Sequence, residues 1–232
     1  MRPYRLPTSG SAMLLALDTA TQYASIALYD GESVLAELNW RSERRHTVEL
    51  APQVDALFAL RNLTPQDLTA LAVAIGPGSY TGTRIALSYA KGIVAAIGLP
   101  LVGIPTLDAL AYPHIRPDSG LCALVAAGRK RYCWASYAAG SGLPQRSSEW
   151  GLNRLPEILS ELPPEFPPSL CFVGELSQED IQFLRSSRGE STIIIPAALA
   201  VRRAGALADL AWHRLQVEDV DDPTTLSPIY LG

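Results

Sequence analysis

Short apolar runs alternate along this chain with longer stretches whose apolar positions recur every three or four residues. Met13–Leu17 is a continuous apolar run ending at Asp18 and Thr19, and Ala24–Tyr29 alternates, with Ile26 and Leu28 on one side. Asp30-Gly31 is a hairpin signal and Ser33–Asn39 returns as a third strand, so the chain opens as an antiparallel meander. From His46 to Arg61 the period changes. Leu50, Val54, Leu57 and Arg61 fall on one line, and Ala51, Val54 and Phe58 on the next, which predicts a helix. Pro52 lies well inside it, and either kinks the helix, at roughly 3 kcal/mol if uncompensated, or marks a later start.

Residues 71–98 carry the strongest pattern. Leu71–Ile75 reads as a buried strand, and Gly76–Gly82 (GPGSYTG) turns the chain, with glycines where positive φ or close backbone approach is needed. Thr81–Ile97 favours helix, and Gly98-Leu99-Pro100 stops it. A strand, a glycine-rich elbow and a helix is the layout of a phosphate cradle, yet the residues argue against one. A Walker loop needs Lys after its last glycine, where this chain has Thr83-Arg84. Gly76, Gly78 and Gly82 read GxGxxxG, one residue longer than the dinucleotide pattern. The better reading is a tight elbow feeding a packed helix. That helix carries two apolar stripes, Ile85, Tyr89, Ile93 and Ile97 on one and Leu87, Ala90 and Val94 on the other. Two stripes imply burial on two sides, one on the parent sheet and one on a second domain or subunit.

Leu101–Ile104 is a further short strand, and Pro105–Asp108 starts a short helix. The order βββαβαβα predicts a five-stranded mixed sheet flanked by helices, which resembles the half-domain of the actin, sugar-kinase and Hsp70 superfamily, also called ribonuclease-H-like. Pro113–Gly120 is the expected domain boundary, giving an N-terminal extension over 1–12 and domains over 13–112 and 113–232. The expected fold class is thus α/β with two such domains (actin/ASKHA-type), the second less regular. There, Leu121–Ala126 and Tyr132–Tyr137 are expected to pair through Gly128–Arg131. Helices are expected over Asn153–Glu161, about Gln178–Ser186 and over Ala197–Leu215, and strands at Leu170–Val173 and Thr192–Ile195. Pro163–Pro168 reads as a loop, and 217–232 as a tail that packs through Leu226, Ile229 and Tyr230.

Composition narrows the function classes. At 232 residues, 48% hydrophobic and 18% charged, the chain has material for a substantial core. A net charge of −4 lends no support to strong nucleic-acid binding, although Arg41, Arg44 and Arg45, or Arg129, Lys130 and Arg131, form local basic clusters. Cys122, Cys133 and Cys171 have no CxxC spacing and read as reduced thiols of a cytoplasmic protein. His46, His114 and His213 are too scattered for structural zinc, so no metal is expected. The N-terminal dozen residues lack the apolar core of a signal peptide, and no run is long enough to span a membrane.

The stretches LALDTATQYASIAL, HTVELAPQVDALF and LAVAIGPGSYTGTRIALSYAKGIVAAIGLPLVGIPTLDALA together resemble the bacterial TsaB (YeaZ) family. The resemblance is strong over residues 13–112 and weak beyond, apart from the closing SPIYL. It implies a part in making threonylcarbamoyladenosine beside the anticodon of tRNAs that read A-starting codons. It further implies a non-catalytic paralogue that pairs with the catalytic subunit TsaD, joined by the ATPase TsaE, with tRNA met only through the complex. TsaC or its relatives make the threonylcarbamoyl-adenylate donor. TsaD-like proteins carry His-x-x-x-His after the equivalent of Leu101–Ile104; here Thr106 and Leu110 occupy those positions, and Asp108 alone is not a metal site. His46 matches another part of the fold and reads as a helix-start or interface residue. Asp18-Thr19 matches a first phosphate loop, but at the second Ala126 and Gly128 replace the Asp and Arg of many relatives, and no adenosine motif follows. No cofactor is therefore expected, and Asp18 reads as capping its strand end and binding loop amides.

The leading expectation is a scaffold that docks TsaD through the helices at 46–61 and 81–97, and that closes on a second copy as a homodimer when alone. Leu50, Val54, Leu57, Leu87, Ala90 and Val94 are the expected apolar contacts, with Tyr80 and Arg84 supplying polar ones. The alternative that these residues pack on the chain's own sheet stays open. Two rivals are an autonomous ATP-dependent kinase or ATPase, which the missing second acidic residue disfavours, and a peptidase, for which neither a metal pair nor an oriented nucleophile is present.

Overall fold

The computed structural model describes residues 12–43, 45–162, 169–189 and 192–231. The loop expected over 163–168, and the N-terminal extension up to residue 11, lie outside the described residues. The chain forms two compact units, one running to Thr106 and resuming over Arg202–Ile229, the other comprising Leu107–Val201 and Tyr230 onward.

The first unit is built on the strands β1 (Leu14–Asp18), β2 (Tyr23–Tyr29), β3 (Val34–Arg41), β4 (Ala70–Ala74) and β5 (Leu101–Ile104). Their order is β3-β2-β1-β4-β5, antiparallel through the meander and parallel from β1 to β5. This is the mixed sheet expected from the sequence. Helices α1 (His46–Leu60) and α2 (Tyr80–Ile97) cover one face, where Leu15, Leu17, Ile26, Leu28, Leu71, Val73 and Leu101 meet Leu50, Val54, Leu57, Phe58, Leu87, Ala90 and Val94. Pro52 sits inside α1 and offers no amide to the carbonyl of Val48, a residue on the solvent side at 61% exposure.

The alternate positions of β1, β2 and β4 carry many alanines: Ala16, Ala27, Ala70, Ala72 and Ala74 are all buried, with Leu14 and Tyr29 among them. Across β1, β2, β4 and β5 packs α6 (Ala204–Gln216), itself presenting Ala204, Gly205, Ala208 and Ala211. Small residues on both sides allow close approach. The first unit is therefore discontinuous, which differs from a single boundary at residue 112: Arg202–Ile229 returns to it because the sheet has a second face to bury. The helix expected from residue 197 begins only at Ala204. Its amide is taken by the Ser25 hydroxyl at 2.7 Å, while Arg203 before it is extended (φ −112°, ψ 125°).

In the second unit, β6 (Gly120–Ala126), β7 (Tyr132–Tyr137), β8 (Gly151–Asn153), β9 (Leu170–Gly174) and β10 (Thr192–Ile194) form a sheet of order β10-β9-β6-β7-β8. The expected β6–β7 hairpin is present; β8, at three residues, is too short to stand out in the sequence. On one face lie Leu107, Leu110 and Ala111 of α3 (Thr106–Ala111). On the other lie α4 (Leu155–Glu161) and α5 (Gln178–Arg188), through Leu155, Ile158 and Leu184. Cys122, Cys133 and Cys171 are free and buried in this unit. Burial pushes the Cys133 and Cys171 thiols up to about 11 and Cys122 higher still.

The elbow after β4 fits against the loop between β1 and β2 with no space to spare. A Cβ on Gly82 would collide with the Thr19 carbonyl oxygen, and one on Gly78 with that of Ala20. Both obstacles are backbone. Gly82→Ala is expected to cost about 3 kcal/mol, read as a lowered urea midpoint with unchanged slope. Because a thiol reacts as its thiolate, the native protein at pH 8 is expected to leave all three cysteines unmodified by a disulfide reagent, and the urea-unfolded chain to expose all three.

Candidate docking surface

The side of α1 and α2 turned away from the sheet is where the first unit meets solvent with little charge. α2 is capped by Ser79, whose hydroxyl accepts the Gly82 amide at 3.2 Å and whose own amide donates to the Ala20 carbonyl at 2.6 Å. From there Tyr80, Thr81, Arg84 and Ser88 project outward, with Ile85 and Tyr89 half-buried beside them. Further along, Gly92, Ala95 and Ala96 are exposed and add no bulk. The Arg84 guanidinium lies 4.0 Å over the Tyr80 ring, so its charge is held flat against an aromatic face. Between the helices runs a groove of about 570 Å³, lined on the α1 side by Thr47, Leu50 and Ala51 and on the α2 side by Tyr80, Arg84, Ile85, Ser88 and Tyr89 among others. Burial, with a smaller push from the Asp55 carboxylate, raises the Tyr89 hydroxyl above its ordinary value, so it stays a neutral donor.

Of the residues expected to make the contact, Tyr80 (56% exposed) and Arg84 lie on this outward side. The six apolar ones do not. Leu50, Val54, Leu57, Leu87, Ala90 and Val94 are each no more than 6% exposed and belong to the unit's own core. The physical reason is the sheet face of Leu15, Leu17, Ile26, Leu28, Leu71 and Val73, which claims one apolar stripe of each helix. Leu50 alone also reaches the groove, as part of its lining. The stripe of α2 left toward the groove is the one that begins with Ile85 and Tyr89, and Thr47, Ala51 and Ser88 beside it were missed because none is strongly apolar.

The other candidate positions are occupied by the chain itself. Asp18 accepts the Ala20 amide at 2.7 Å on one oxygen, as expected for a strand-end cap, and the Arg202 Nε at 2.8 Å on the other. The two side chains are 2% and 4% exposed. This ion pair has no sequence signal. His46 starts α1, is buried, and donates from Nε2 to the Thr21 carbonyl at 2.7 Å. Thr106 and Leu110 are buried. Asp108 accepts from the Tyr137 hydroxyl at 2.7 Å; burial raises its carboxyl, against that hydrogen bond and the charge of Arg146. Ala126 and Gly128 sit exposed at the β6–β7 turn. Among the described residues no group of three or more His, Cys, Asp or Glu side chains is placed to hold a metal, and no helix is long and apolar enough to cross a membrane.

Known proteins match this arrangement. The TsaD family profile, described as tRNA N6-adenosine threonylcarbamoyltransferase, matches residues 39–145, a span that contains α1, the elbow and α2. The chain is similar to the tRNA threonylcarbamoyladenosine biosynthesis protein TsaB of Bacillus subtilis, at 29% identity over 218 residues covering 94% of this chain and 93% of the relative. It is similar to TsaB of Escherichia coli at 29% identity over 194 residues, covering 80% and 82%. These likenesses support the TsaB (YeaZ) family. The solved structure of YeaZ from Pseudomonas aeruginosa shares the fold, with a TM-score of 0.77 at 21% identity over 95% of this chain and all of that one.

The two stripes of α2 give a test that separates core from surface in this TsaB-like chain. Ala90→Asp is expected to destabilise the first unit by on the order of 3 kcal/mol or more, since it buries an unpaired charge. Ser88→Asp, two residues earlier and exposed, is expected to shift the thermal midpoint by no more than about 2 °C.

Proposed function

We propose that the protein is an accessory, non-catalytic subunit in the synthesis of threonylcarbamoyladenosine beside the anticodon of tRNAs that read A-starting codons, acting in the cytoplasm. In this reading it docks a TsaD-type catalytic subunit through the outward side of α1 and α2, TsaE joins the pair, and tRNA is met only through the assembly. The observation that carries the docking is the charge-poor groove between the two helices, with Tyr80 and Arg84 at its rim. A helix pair laid on a helix pair buries such a face at small desolvation cost, because few ionised groups must leave water. Without its partner, the same face closes on a second copy as an isologous pair. The names of the curated relatives support the pathway.

A non-catalytic role is supported by what fills the positions where chemistry would sit. The Asp18 carboxylate is committed to Ala20 and Arg202, and Thr106 and Leu110 offer no metal ligand. An autonomous kinase would need that carboxylate for a metal or a water.

The test is tRNA modification reconstituted from TsaC, TsaD and TsaE, with this chain present, absent, or carrying Ser88→Arg. Omission is expected to abolish modification. Ser88→Arg is expected to weaken TsaD binding at least about tenfold, equivalent to 1.4 kcal/mol, while the isolated chain keeps its thermal midpoint. Modification that continues unchanged without the chain overturns the proposal, as does saturable, magnesium-dependent ATP turnover by the chain alone.

A further inference from the structure

The buried Arg202 has more partners than an ion pair needs. Its Nε donates to Asp18, and its Nη2 donates to the Thr21 hydroxyl and to the Tyr23 carbonyl, both at 2.9 Å. One guanidinium thus grips the last residue of β1, Thr21 in the four-residue stretch that follows, and the first residue of β2. That stretch is also where both surface helices are fastened. The Thr21 carbonyl receives Nε2 of His46, the first residue of α1. The Ala20 carbonyl receives the amide of Ser79, the N-cap of α2. The Thr19 hydroxyl donates to the Gly82 carbonyl at 2.7 Å and accepts the Ala86 amide at 3.2 Å, bridging the first and second turns of α2.

We infer that Arg202 is a positioning residue for the docking face: it fixes the β1–β2 loop in the one conformation that holds the N-terminal ends of α1 and α2 in register, without lying in the groove itself. The inference rests on the docking reading for its functional consequence, but not for its effect on the helices. A planar fork suits the role. Three acceptors on one loop, at Asp18, Thr21 and Tyr23, match three directions of a rigid guanidinium, which a lysine ammonium on a flexible stem does not reproduce. The charge is also needed, since Asp18 at 2% exposure has no water to replace its partner.

The experiment compares the full chain with Arg202→Lys and Arg202→Ala, the latter with and without methylguanidinium at millimolar concentration. The first reading is amide hydrogen exchange of the isolated chain. Arg202→Lys keeps a buried cation beside Asp18, so it reports on geometry even where Arg202→Ala fails to fold. The amides of Ala20, Ser79 and Ala86 are expected to exchange at least about tenfold faster in Arg202→Lys, and those of β6, in the other unit, at the wild-type rate. Methylguanidinium is expected to restore slow exchange in Arg202→Ala, a rescue that a general loss of packing would not give. The second reading is affinity for TsaD, expected to fall for Arg202→Lys with no residue of the groove changed.

Unchanged exchange at Ser79 and Ala86 in Arg202→Lys overturns the inference. So does faster exchange with full TsaD affinity, provided Ser88→Arg abolishes binding in the same assay, because the face is then indifferent to the loop. If neither Arg202→Lys nor Ser88→Arg affects TsaD binding while exchange accelerates, the docking reading falls and the hold of Arg202 on the helix ends is supported.

Discussion

The fold of the first unit depends on a backbone-to-backbone contact. The loop leaving β1 and the glycine-rich elbow leaving β4 approach until the carbonyls of Thr19 and Ala20 lie where any side chain at Gly82 or Gly78 would have to go. At that distance the polar groups of each strand end satisfy those of the other, as the Ser79 amide does with the Ala20 carbonyl. The glycines are thus spent on protein, not on phosphate. This is why a motif with the outline of a nucleotide cradle sits in a chain whose neighbouring carboxylate is already taken. A strand, an elbow and a helix describe a path of the backbone, and what the elbow touches decides its use.

Much of this architecture is legible in the sequence. The meander, the elbow and both long helices follow from local patterns, and the order β3-β2-β1-β4-β5 follows from them. The candidate surface is less legible. α2 carries two stripes of comparable apolarity, and periodicity alone does not say which one the sheet takes. The sheet took Leu87, Ala90 and Val94 and left Ile85 and Tyr89 half-covered, so the exposed pair Tyr80 and Arg84 were the readable part. Contacts across long separations left no trace at all. Asp18 and Arg202 are 184 positions apart, and neither has a neighbour that announces the other. One signal was available: alanines at alternate positions of β1 and β4 imply a close-packed partner on that face, and the Ala- and Gly-bearing α6 is that partner.

The outward face of α1 and α2 shows how a surface is made attractive to a partner without being made insoluble. Leu50, Val54, Leu57, Leu87 and Val94 are turned inward, and the groove outside is lined by tyrosine, hydroxyl and small residues with Ile85 among them. Such a face offers area at modest cost in water. Arg84, at the rim, rests on Tyr80, so binding need not strip that charge of every partner at once.

The return of the chain in α6 has a consequence for the order in which the protein is made. Synthesis delivers β1 to β5 first, then the whole of Leu107–Val201, and only afterwards the helix that covers the second face of the first sheet. At ordinary translation speeds that face stands uncovered for on the order of ten seconds. The alanines that line it suit this interval. They bury too little area apiece to bind stray chains firmly, yet collectively enough to hold α6 when it emerges. The first domain to be synthesised is therefore the last to be finished, and its least bulky surface is the one left waiting.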